Sequence, residues 1–592
     1  MRDEEVDPVD FADFIAVRTP NPGFLFHPVT PRVAPAAWRK LGTERVEKDH
    51  LPTQNVRAPP PHAHVRSGPH PVDLGSPLSE PSPADSNSAS RPGSASRTHI
   101  RGSALLLAGR AISLALNFAS QVMVIRYLSK ESWGAFSTVI AIVGVGSVIN
   151  IIGLPRTIGR FAPIYEEKGE FGRLIGSVII GLLSIVGLGV AATALVYGMR
   201  GSLAGAMQTD PLTVELLLIM VVLAPIGAFD TLTGQLLAAF TNARTIFFRK
   251  HVVTPGLRLL AVLSVVLGAG DARSLAFAYV IAGGIGATVY GGIVLRAFRD
   301  RRFFARAKEN GVRLPTRELL AFSVPLISSD VLYIARTTCI ALAIDYHYGA
   351  EEVADYRAIL PISRLNTLVL TNFAYMFLPV AARLFARNAI GEMQDLYSRS
   401  AVWVTVLSFP IFAVSFALSD SVTSTLFGEK YASAAALLAI AALGDYLYSI
   451  LGFDVDTLRV FGKVRWIVIC DVATLIVVAL GCWFLIPTYG SFGAAIAVSL
   501  TLVLYRVLNT AALWYTTGIQ PLNRGLCMTM GWVAVLTTGI YLAQRSWDLG
   551  LWTGIPLAAA ATIVLLRVSR RDLDAETLFP ELRKLPGIRS IR

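Results

Sequence analysis

Long runs without a charged residue recur along the chain after about residue 102. Leu174–Met199 and Ser274–Leu295 contain no Asp, Glu, Lys or Arg. Each run is long enough for a helix, which rises ~1.5 Å per residue, to cross the ~30 Å of a bilayer core. Backbone groups in lipid must hydrogen-bond within their own segment, and the strict alternation of a barrel strand is missing. These runs therefore predict transmembrane helices.

The hydrophobic pattern predicts an all-α polytopic membrane protein with about fourteen transmembrane helices. Val472–Tyr505 is also uncharged, but Pro487 and Gly490 interrupt it, which predicts two spans joined by a tight turn. The expected spans are residues 104–128, 133–155, 174–198, 213–239, 252–270, 274–296, 318–345, 353–380, 399–419, 432–456, 465–487, 490–515, 526–544 and 549–567.

Composition agrees with this pattern, and it separates the first hundred residues from the rest. The chain is 53% hydrophobic and 16% charged, with a mean hydropathy of +0.55, whereas soluble proteins are about a quarter charged. Residues 1–102 are instead rich in Pro, Ser, Ala, His and Arg and show no periodicity. We expect a disordered cytoplasmic segment without a signal peptide, and favour a solvated tail over a histidine metal site. The four cysteines fall within spans and lack metal-ligand spacing, so we interpret them as small core residues.

The basic charge follows the predicted topology. One set of alternate loops carries 22 Lys and Arg residues, with eight of them between Arg296 and Arg317. The opposite loops carry only Lys130, Arg200, Arg273, Lys430 and Arg545. The positive-inside rule then places both termini in the cytoplasm. The net charge of +12 needs no nucleic-acid partner.

The chain also repeats itself at a spacing of about 220 residues. Ile125–Tyr127 resembles Ile344–Tyr346, and Phe240–Arg244 matches Phe461–Arg465. Six helices per half give the halves the same orientation, which predicts a substrate path between them. The expected division is 1–102, N-terminal segment; 103–298, first six-helix bundle; 299–317, basic cytoplasmic linker; 318–516, second six-helix bundle; 517–569, two extra helices; and 570–592, cytoplasmic tail.

Four segments carry a family resemblance over roughly residues 104–569. They are Leu128–Phe136 (LSKESWGAF), Phe427–Tyr431 (FGEKY), Phe461–Lys463 (FGK) and Ile486–Ala495 (IPTYGSFGAA). With the six-plus-six-plus-two helices, they resemble the polysaccharide flippase (Wzx-like) branch of the MATE-like (MOP) exporter superfamily.

This resemblance implies a plasma-membrane transporter, not an enzyme, without a cofactor. Its substrate would be a polyprenyl-pyrophosphate-linked oligosaccharide, flipped by alternating access during cell-surface polysaccharide biosynthesis. The implied partners are this lipid-linked substrate, the bilayer and polysaccharide assembly proteins.

Polar residues at helical spacing within the spans are the candidate cavity residues. Arginines would suit a pyrophosphate, because guanidinium is permanently charged and forks onto phosphate oxygens, while hydroxyls and amides would suit a sugar. Snorkelling to the interface is the alternative for arginines near span ends. The substrate-binding candidates are Arg110, Asn117, Gln121, Tyr333, Arg336, Arg357, Arg364 and Tyr375. Arg258 is instead expected to pair with an acid such as Asp230.

Acidic residues within the spans are candidates for coupling to a proton or sodium ion. They are Asp230, Asp330, Asp445 and Asp456. An interhelical ion pair with an arginine is the alternative for each. The Asp454–Asp456 DxD pattern ends an apolar span without a soluble catalytic domain, and Gly462-Lys463 lacks the rest of a P-loop, so neither predicts a metal or nucleotide site.

Three other functions stay open. A lipid II flippase and a MATE-type drug/ion antiporter are the alternatives within transport, although pure MATE exporters usually have twelve spans. A membrane polysaccharide polymerase or sugar transferase is less favoured. Such enzymes typically need a sizeable outward loop or a soluble domain, whereas the outer loops here are about 3–15 residues long.

Overall fold

Helices make up almost all of the structure, and no strand occurs among the residues it describes. The computed structural model describes residues 92–201, 211–241, 243–547 and 550–573, with side chains except at 92–108, 243, 325–337 and 571–572. Residues 1–91 of the expected N-terminal segment and 574–592 of the expected tail therefore lie outside the described residues. The first helix begins at Pro92, ahead of the expected start of the first span at residue 104.

The described residues of the first half of the bundle form nine helices, α1 to α9. A π-helical turn, Phe248–Val253, lies between α7 and α8. The helices are α1 (Pro92–Tyr127), α2 (Lys130–Ile151), α3 (Leu154–Glu167), α4 (Phe171–Gly198), α5 (Pro211–Met220), α6 (Leu223–Phe240), α7 (Ala243–Phe247), α8 (Thr254–Leu267) and α9 (Ala272–Asp300).

A short linker helix, α10 (Phe303–Asn310), leads to the second half, α11 to α19, and three further helices follow in the described part of the chain. Two 3-10 turns and a second π-helix interrupt this part, at Arg364–Thr367, Glu429–Ala434 and Gly481–Leu485. The helices are α11 (Thr316–Tyr348), α12 (Ala350–Ser363), α13 (Leu368–Ala386), α14 (Ile390–Ala417), α15 (Ser419–Phe427), α16 (Ala435–Ile450), α17 (Asp454–Val460), α18 (Val464–Leu480), α19 (Ile486–Thr517), α20 (Arg524–Trp547), α21 (Leu551–Val568) and α22 (Arg570–Leu573).

The multi-pass helical fold is confirmed. Eleven helices in the described part of the chain are long and apolar enough to cross a membrane. Their outward faces carry large apolar side chains, such as Leu183 and Val190 of α4, which suits contact with lipid. The count of fourteen stays a prediction.

The predicted turn near Pro487 and Gly490 lies within the longest of these eleven segments, Val464–Thr517. Gly490 has φ 57° and breaks the helical conformation inside α19. Because α18 packs along α19, the chain folds back at this glycine.

Of the four cysteines, Cys470 is buried as expected, whereas Cys339 and Cys527 are exposed, so the core interpretation is wrong for these two.

The two halves contact each other at both ends of the bundle. At one end α2 packs closely on α12, and a Cβ added to Gly134 would lie 1.8 Å from the carbonyl oxygen of Ala350. At the other end α3 contacts α11, where the Tyr165 hydroxyl donates to Glu318 at 3.0 Å. One large core cluster includes residues of both halves, of α20 and of α21. The α20–α21 pair packs mainly on α14.

Candidate functional site

A cavity of about 630 Å³ lies inside the first half of the bundle. Its walls come from α1, α2, α5, α6, α8 and α9, and the second half contributes only Arg357 of α12. The sequence predicted a path between the halves with candidates from both. The cavity instead lies to one side, where α12 closes the six-helix cup of the first half.

Four of the predicted residues meet in this cavity: Asn117, Gln121, Asp230 and Arg357. Asn117 and Gln121 are four residues apart on α1, so they share one face of that helix. The Asn117 amide also donates to the Ser113 carbonyl at 2.7 Å, which holds it against α1. The remaining polar lining includes serine and tyrosine hydroxyls, among them Tyr279 and Tyr290 of α9.

Two arginines of the cavity have no acidic partner in the described part of the chain. They are Arg258 of α8 and Arg357 of α12, and the Arg357 Nε is buried without a hydrogen bond. The expected pairing of Arg258 with Asp230 is wrong. Asp230 pairs instead with Arg249, whose Nη2 lies 2.6 Å from Asp230 Oδ1.

Sequence reasoning missed the place of Arg249 beside the candidate site, because this residue was counted among the cations of a loop. It belongs to the π-helical turn Phe248–Val253, which adds a residue to the helical repeat and changes the direction in which the side chain points. Its guanidinium lies 4.5 Å from the centroid of the Tyr290 ring and 3.4 Å from the Thr233 hydroxyl. An unusual backbone turn therefore places a buried cation behind Asp230 of the cavity wall, and periodicity alone gives no sign of it.

The other substrate-binding candidates lie elsewhere or are undescribed. Arg110 lies over the ring of Tyr375 at 5.5 Å from its centroid, in a contact between α1 and α13 that does not line the cavity. Arg364 is exposed in the 3-10 turn Arg364–Thr367. That turn breaks the helical spacing that placed Arg357, Arg364 and Tyr375 on one stripe. The side chains of Asp330, Tyr333 and Arg336 on α11 lie outside the described residues.

The remaining acidic candidates have partners of their own. Asp445 is buried on α16, with Ser363 and Arg364 as its polar neighbours. Asp456 pairs with Arg459 at 3.4 Å, three residues further along α17.

A buried ion pair in the second half involves Asp454, which the sequence analysis set aside as part of a DxD pattern. Arg506 of α19 lies 2.5 Å from Asp454 Oδ1, and both side chains are at most 4% exposed. The Arg506 guanidinium also lies 3.8 Å from the Tyr448 ring centroid. This network joins α16, α17 and α19, and we interpret it as structural support.

At the end of the bundle where α2 packs on α12, charged side chains connect the two halves. Lys130 Nζ lies 2.8 Å from Asp355 Oδ2, and the Ser433 hydroxyl donates to the same oxygen at 2.9 Å. Lys430 of the second half donates to the carbonyls of Arg126 and Leu128 at the end of α1. The two lysines belong to the sparse cations of the predicted outer loops, and here they hold the halves together.

Comparisons with known proteins agree with the helical membrane-protein fold described above. The polysaccharide biosynthesis protein family matches residues 100–385. No curated protein matches the sequence. The fold is similar to that of an inward-facing multidrug resistance MATE family transporter of the MOP superfamily, with a TM-score of 0.56 and 15% identity over 69% of this chain and 96% of that chain. It is also similar to the lipid II flippase MurJ in an inward closed conformation, with a TM-score of 0.58 and 13% identity over 79% of this chain and 99% of that chain.

The α10 linker and the start of the second half fall within the matched segment, so the match is not confined to one six-helix half. At 13–15% identity the structural likeness speaks for the fold alone. The expected family resemblance is thereby confirmed: residues 100–385 match the polysaccharide biosynthesis protein family, and the helical bundle has a fold similar to those of the MATE transporter and MurJ.

Proposed function

We propose that this protein flips a polyprenyl-pyrophosphate-linked oligosaccharide across the plasma membrane by alternating access. The observation that carries the proposal is the pair Arg258 and Arg357, two arginines without acidic partners that line one cavity inside the bundle. A guanidinium inside the membrane costs ~2.5–3.5 kcal/mol on insertion scales, so an unpaired one is expected to serve a ligand. A pyrophosphate supplies the charge and oxygen geometry that guanidinium groups bind in bidentate fashion.

The size and lining of the cavity support a headgroup rather than a whole lipid. About 630 Å³ lies within the range of ~300–1,000 Å³ typical of small-molecule sites. Asn117 and Gln121 present amides that hydrogen-bond to sugar hydroxyls. We place the polyprenyl chain in the surrounding lipid.

The contacts at the two ends of the bundle support alternating access. Lys130 and Asp355 join the halves at the predicted outer end, and Tyr165 and Glu318 join them at the predicted inner end. Each contact holds one end closed when it is formed, so the cavity opens where the contact is released. In this scheme both termini are cytoplasmic and buried Asp445, beside Arg364, is our first candidate for ion coupling.

A lipid II flippase is the second candidate, because lipid II is also a pyrophosphate-linked lipid and the two arginines suit both. A drug/ion antiporter for cationic drugs is less well supported. Arg258 and Arg357 would repel a cation in a low-dielectric cavity.

A transport assay tests the proposal. The purified protein is placed in liposomes with a fluorescent polyprenyl-pyrophosphate oligosaccharide, and a membrane-impermeant quencher reports which leaflet holds the label. Wild-type protein is expected to accelerate exchange over empty liposomes. Arg258→Gln and Arg357→Gln are each expected to slow it by about tenfold or more, since hydrogen bonds to charged groups contribute ~1.5–3 kcal/mol.

Arg273→Gln is the matched control, because Arg273 pairs with Glu215 in an exposed site away from the cavity. It is expected to exchange lipid at the wild-type rate. No exchange above empty liposomes with wild-type protein would overturn the proposed function. Exchange unchanged in both cavity variants would remove these arginines from the transport path.

A further inference from the structure

Asp230 presents a negative charge to a cavity that the two unpaired arginines otherwise make positive. Its side chain is 44% exposed on the cavity wall, whereas that of its partner Arg249 is 11% exposed. The ion pair is therefore oriented, with the carboxylate toward the cavity and the guanidinium behind it. No hydrogen bond to Asp230 Oδ2 occurs in the described part of the chain, so this oxygen is left for a ligand.

The surroundings of Arg249 hold this orientation firmly. Arg249 Nη2 also donates to the backbone carbonyl of Asp230 at 2.5 Å, so the arginine binds the same residue twice. Thr254 and Tyr290 both donate hydroxyl hydrogen bonds to the backbone carbonyl of Arg249, at 3.0 and 3.3 Å. These contacts fix the π-helical turn that carries the arginine.

Gly234 provides the space for this arrangement. It lies one helical turn after Asp230 on α6, and a Cβ at this position would lie 2.7 Å from Arg249 Nη1. A larger residue would displace the guanidinium and with it the carboxylate. Residues behind the cavity wall therefore hold the Asp230 carboxylate in position. A surface ion pair does not need such support.

A carboxylate facing the cavity repels a phosphate and accepts hydrogen bonds from hydroxyl or amide N–H groups. If the cavity bound only pyrophosphate, such a carboxylate would lower its affinity for that ligand. A ligand whose phosphate lies at the arginines and whose sugar donates to the carboxylate satisfies both signs of charge. The oriented pair is therefore compatible with a ligand that has a sugar beside its phosphate.

We propose that Asp230, positioned by Arg249, recognises the sugar attached to the pyrophosphate and thereby distinguishes glycosylated from unglycosylated carrier lipid. The inference rests on the proposed function, because it takes the pyrophosphate to lie at Arg258 and Arg357. It assigns Asp230 to specificity rather than to ion coupling. Arg249 is then a positioning residue that does not itself touch the ligand.

The test compares two probes on the purified full-length protein in detergent. One probe is undecaprenyl pyrophosphate, the other is undecaprenyl pyrophosphate carrying one N-acetylglucosamine, and the dissociation constants are measured by native mass spectrometry. Wild-type protein is expected to bind the glycosylated lipid more tightly. Asp230→Asn is expected to weaken binding of the glycosylated lipid by about tenfold, while binding of the unglycosylated lipid stays equal or becomes tighter.

Arg249→Gln is expected to reproduce this selective loss, a change in the ratio of the two constants that general destabilisation would not produce. Asp300→Asn is the control, because Asp300 pairs with Arg296 at an exposed site outside the cavity, and it is expected to bind both lipids as wild type does. Equal binding of both lipids by wild-type protein, or an equal loss of both in Asp230→Asn, would overturn the inference while the proposed function stands. Wild-type protein that binds neither lipid would overturn the proposed function itself.

Discussion

Lys130 and Asp355 form an ion pair between α2 and α12, and replacing Lys130 with methionine tests whether this pair keeps that end of the bundle closed. Asp355 Oδ2 accepts hydrogen bonds from Lys130 at 2.8 Å and from Ser433 at 2.9 Å, while Oδ1 is buried without a partner. In Lys130→Met the aliphatic part of the side chain is kept. The carboxylate, only 7% exposed, is left with one neutral donor.

The size of the effect follows from this environment. Removing one partner of a fully buried pair costs ~3–5 kcal/mol, because a buried charge is left uncompensated. Lys130 is 21% exposed, so water reaches this pair in part, and we take a lower cost of about 2 kcal/mol. The cost falls on the closed state alone, since Asp355 is hydrated when the halves separate. At 1.4 kcal/mol per tenfold change, the open population should rise about 30-fold.

Cysteine labelling measures this opening. Ser137 is buried on α2 and lines the cavity, so Ser137→Cys in a background without the four native cysteines is protected while this end is closed. A membrane-impermeant maleimide added at the predicted outer face should react about 30-fold faster in Lys130→Met, since the rate follows the open population. Asp355→Asn added to Lys130→Met should return the rate toward wild type by removing the stranded charge.

Arg273→Met is the control for the loss of a cation from the same predicted face. Its pair with Glu215 lies within the first half and is half exposed, so breaking it should contribute ~0–1 kcal/mol and leave labelling unchanged. Labelling of Lys130→Met at the wild-type rate would refute the reasoning. So would an equal acceleration in Arg273→Met.

Two further predictions concern stability, and both are checked by the thermal unfolding of purified protein in detergent. Gly134→Ala should destabilise the folded protein by ~2–3 kcal/mol, because its Cβ would meet backbone atoms rather than a flexible side chain. Gly144→Ala in the same helix has open space around the added Cβ and should be neutral or stabilising. An unchanged midpoint for Gly134→Ala would contradict the close approach of α2 to α12. Arg506→Gln should lower the free energy of unfolding by ~3–5 kcal/mol, because it leaves Asp454 buried and unpaired. Arg459→Gln breaks an exposed pair and should lower it by only ~0–1 kcal/mol. Equal midpoints for these two arginine variants would show that burial does not set the cost.

The positions of the spans were predictable because the bilayer imposes the same length and hydrophobicity requirement on every segment that crosses it. Uncharged runs of about 20 residues must be helical in lipid wherever they occur, so the expected spans and the observed helices largely coincide. The turn at Gly490 was also predictable, since proline and glycine interrupt an otherwise continuous run. Packing between helices was not, because lipid-facing and core-facing side chains are both apolar and carry little periodic contrast.

The candidate site was predictable only where one regular helix decides the geometry. Asn117 and Gln121 share a face of α1, and the structure places both in the cavity. The stripe from Arg357 to Tyr375 fails, because a 3-10 turn separates α12 from α13. Helical spacing assumes an unbroken repeat, and each irregular turn resets it.

The sequence by itself determined that this protein is a multi-pass helical bundle and that it resembles the family whose model matches residues 100–385. It determined these because hydrophobic run length and short motifs are local properties of the chain. Only the tertiary structure decided that Asp230 pairs with Arg249 rather than Arg258, and that Arg258 and Arg357 are left to face one cavity. Whether an arginine pairs with Asp230 depends on contacts between helices that are distant in sequence. It also depends on the π-helical turn that redirects the Arg249 side chain. The chemistry of the cavity follows from that choice of partner.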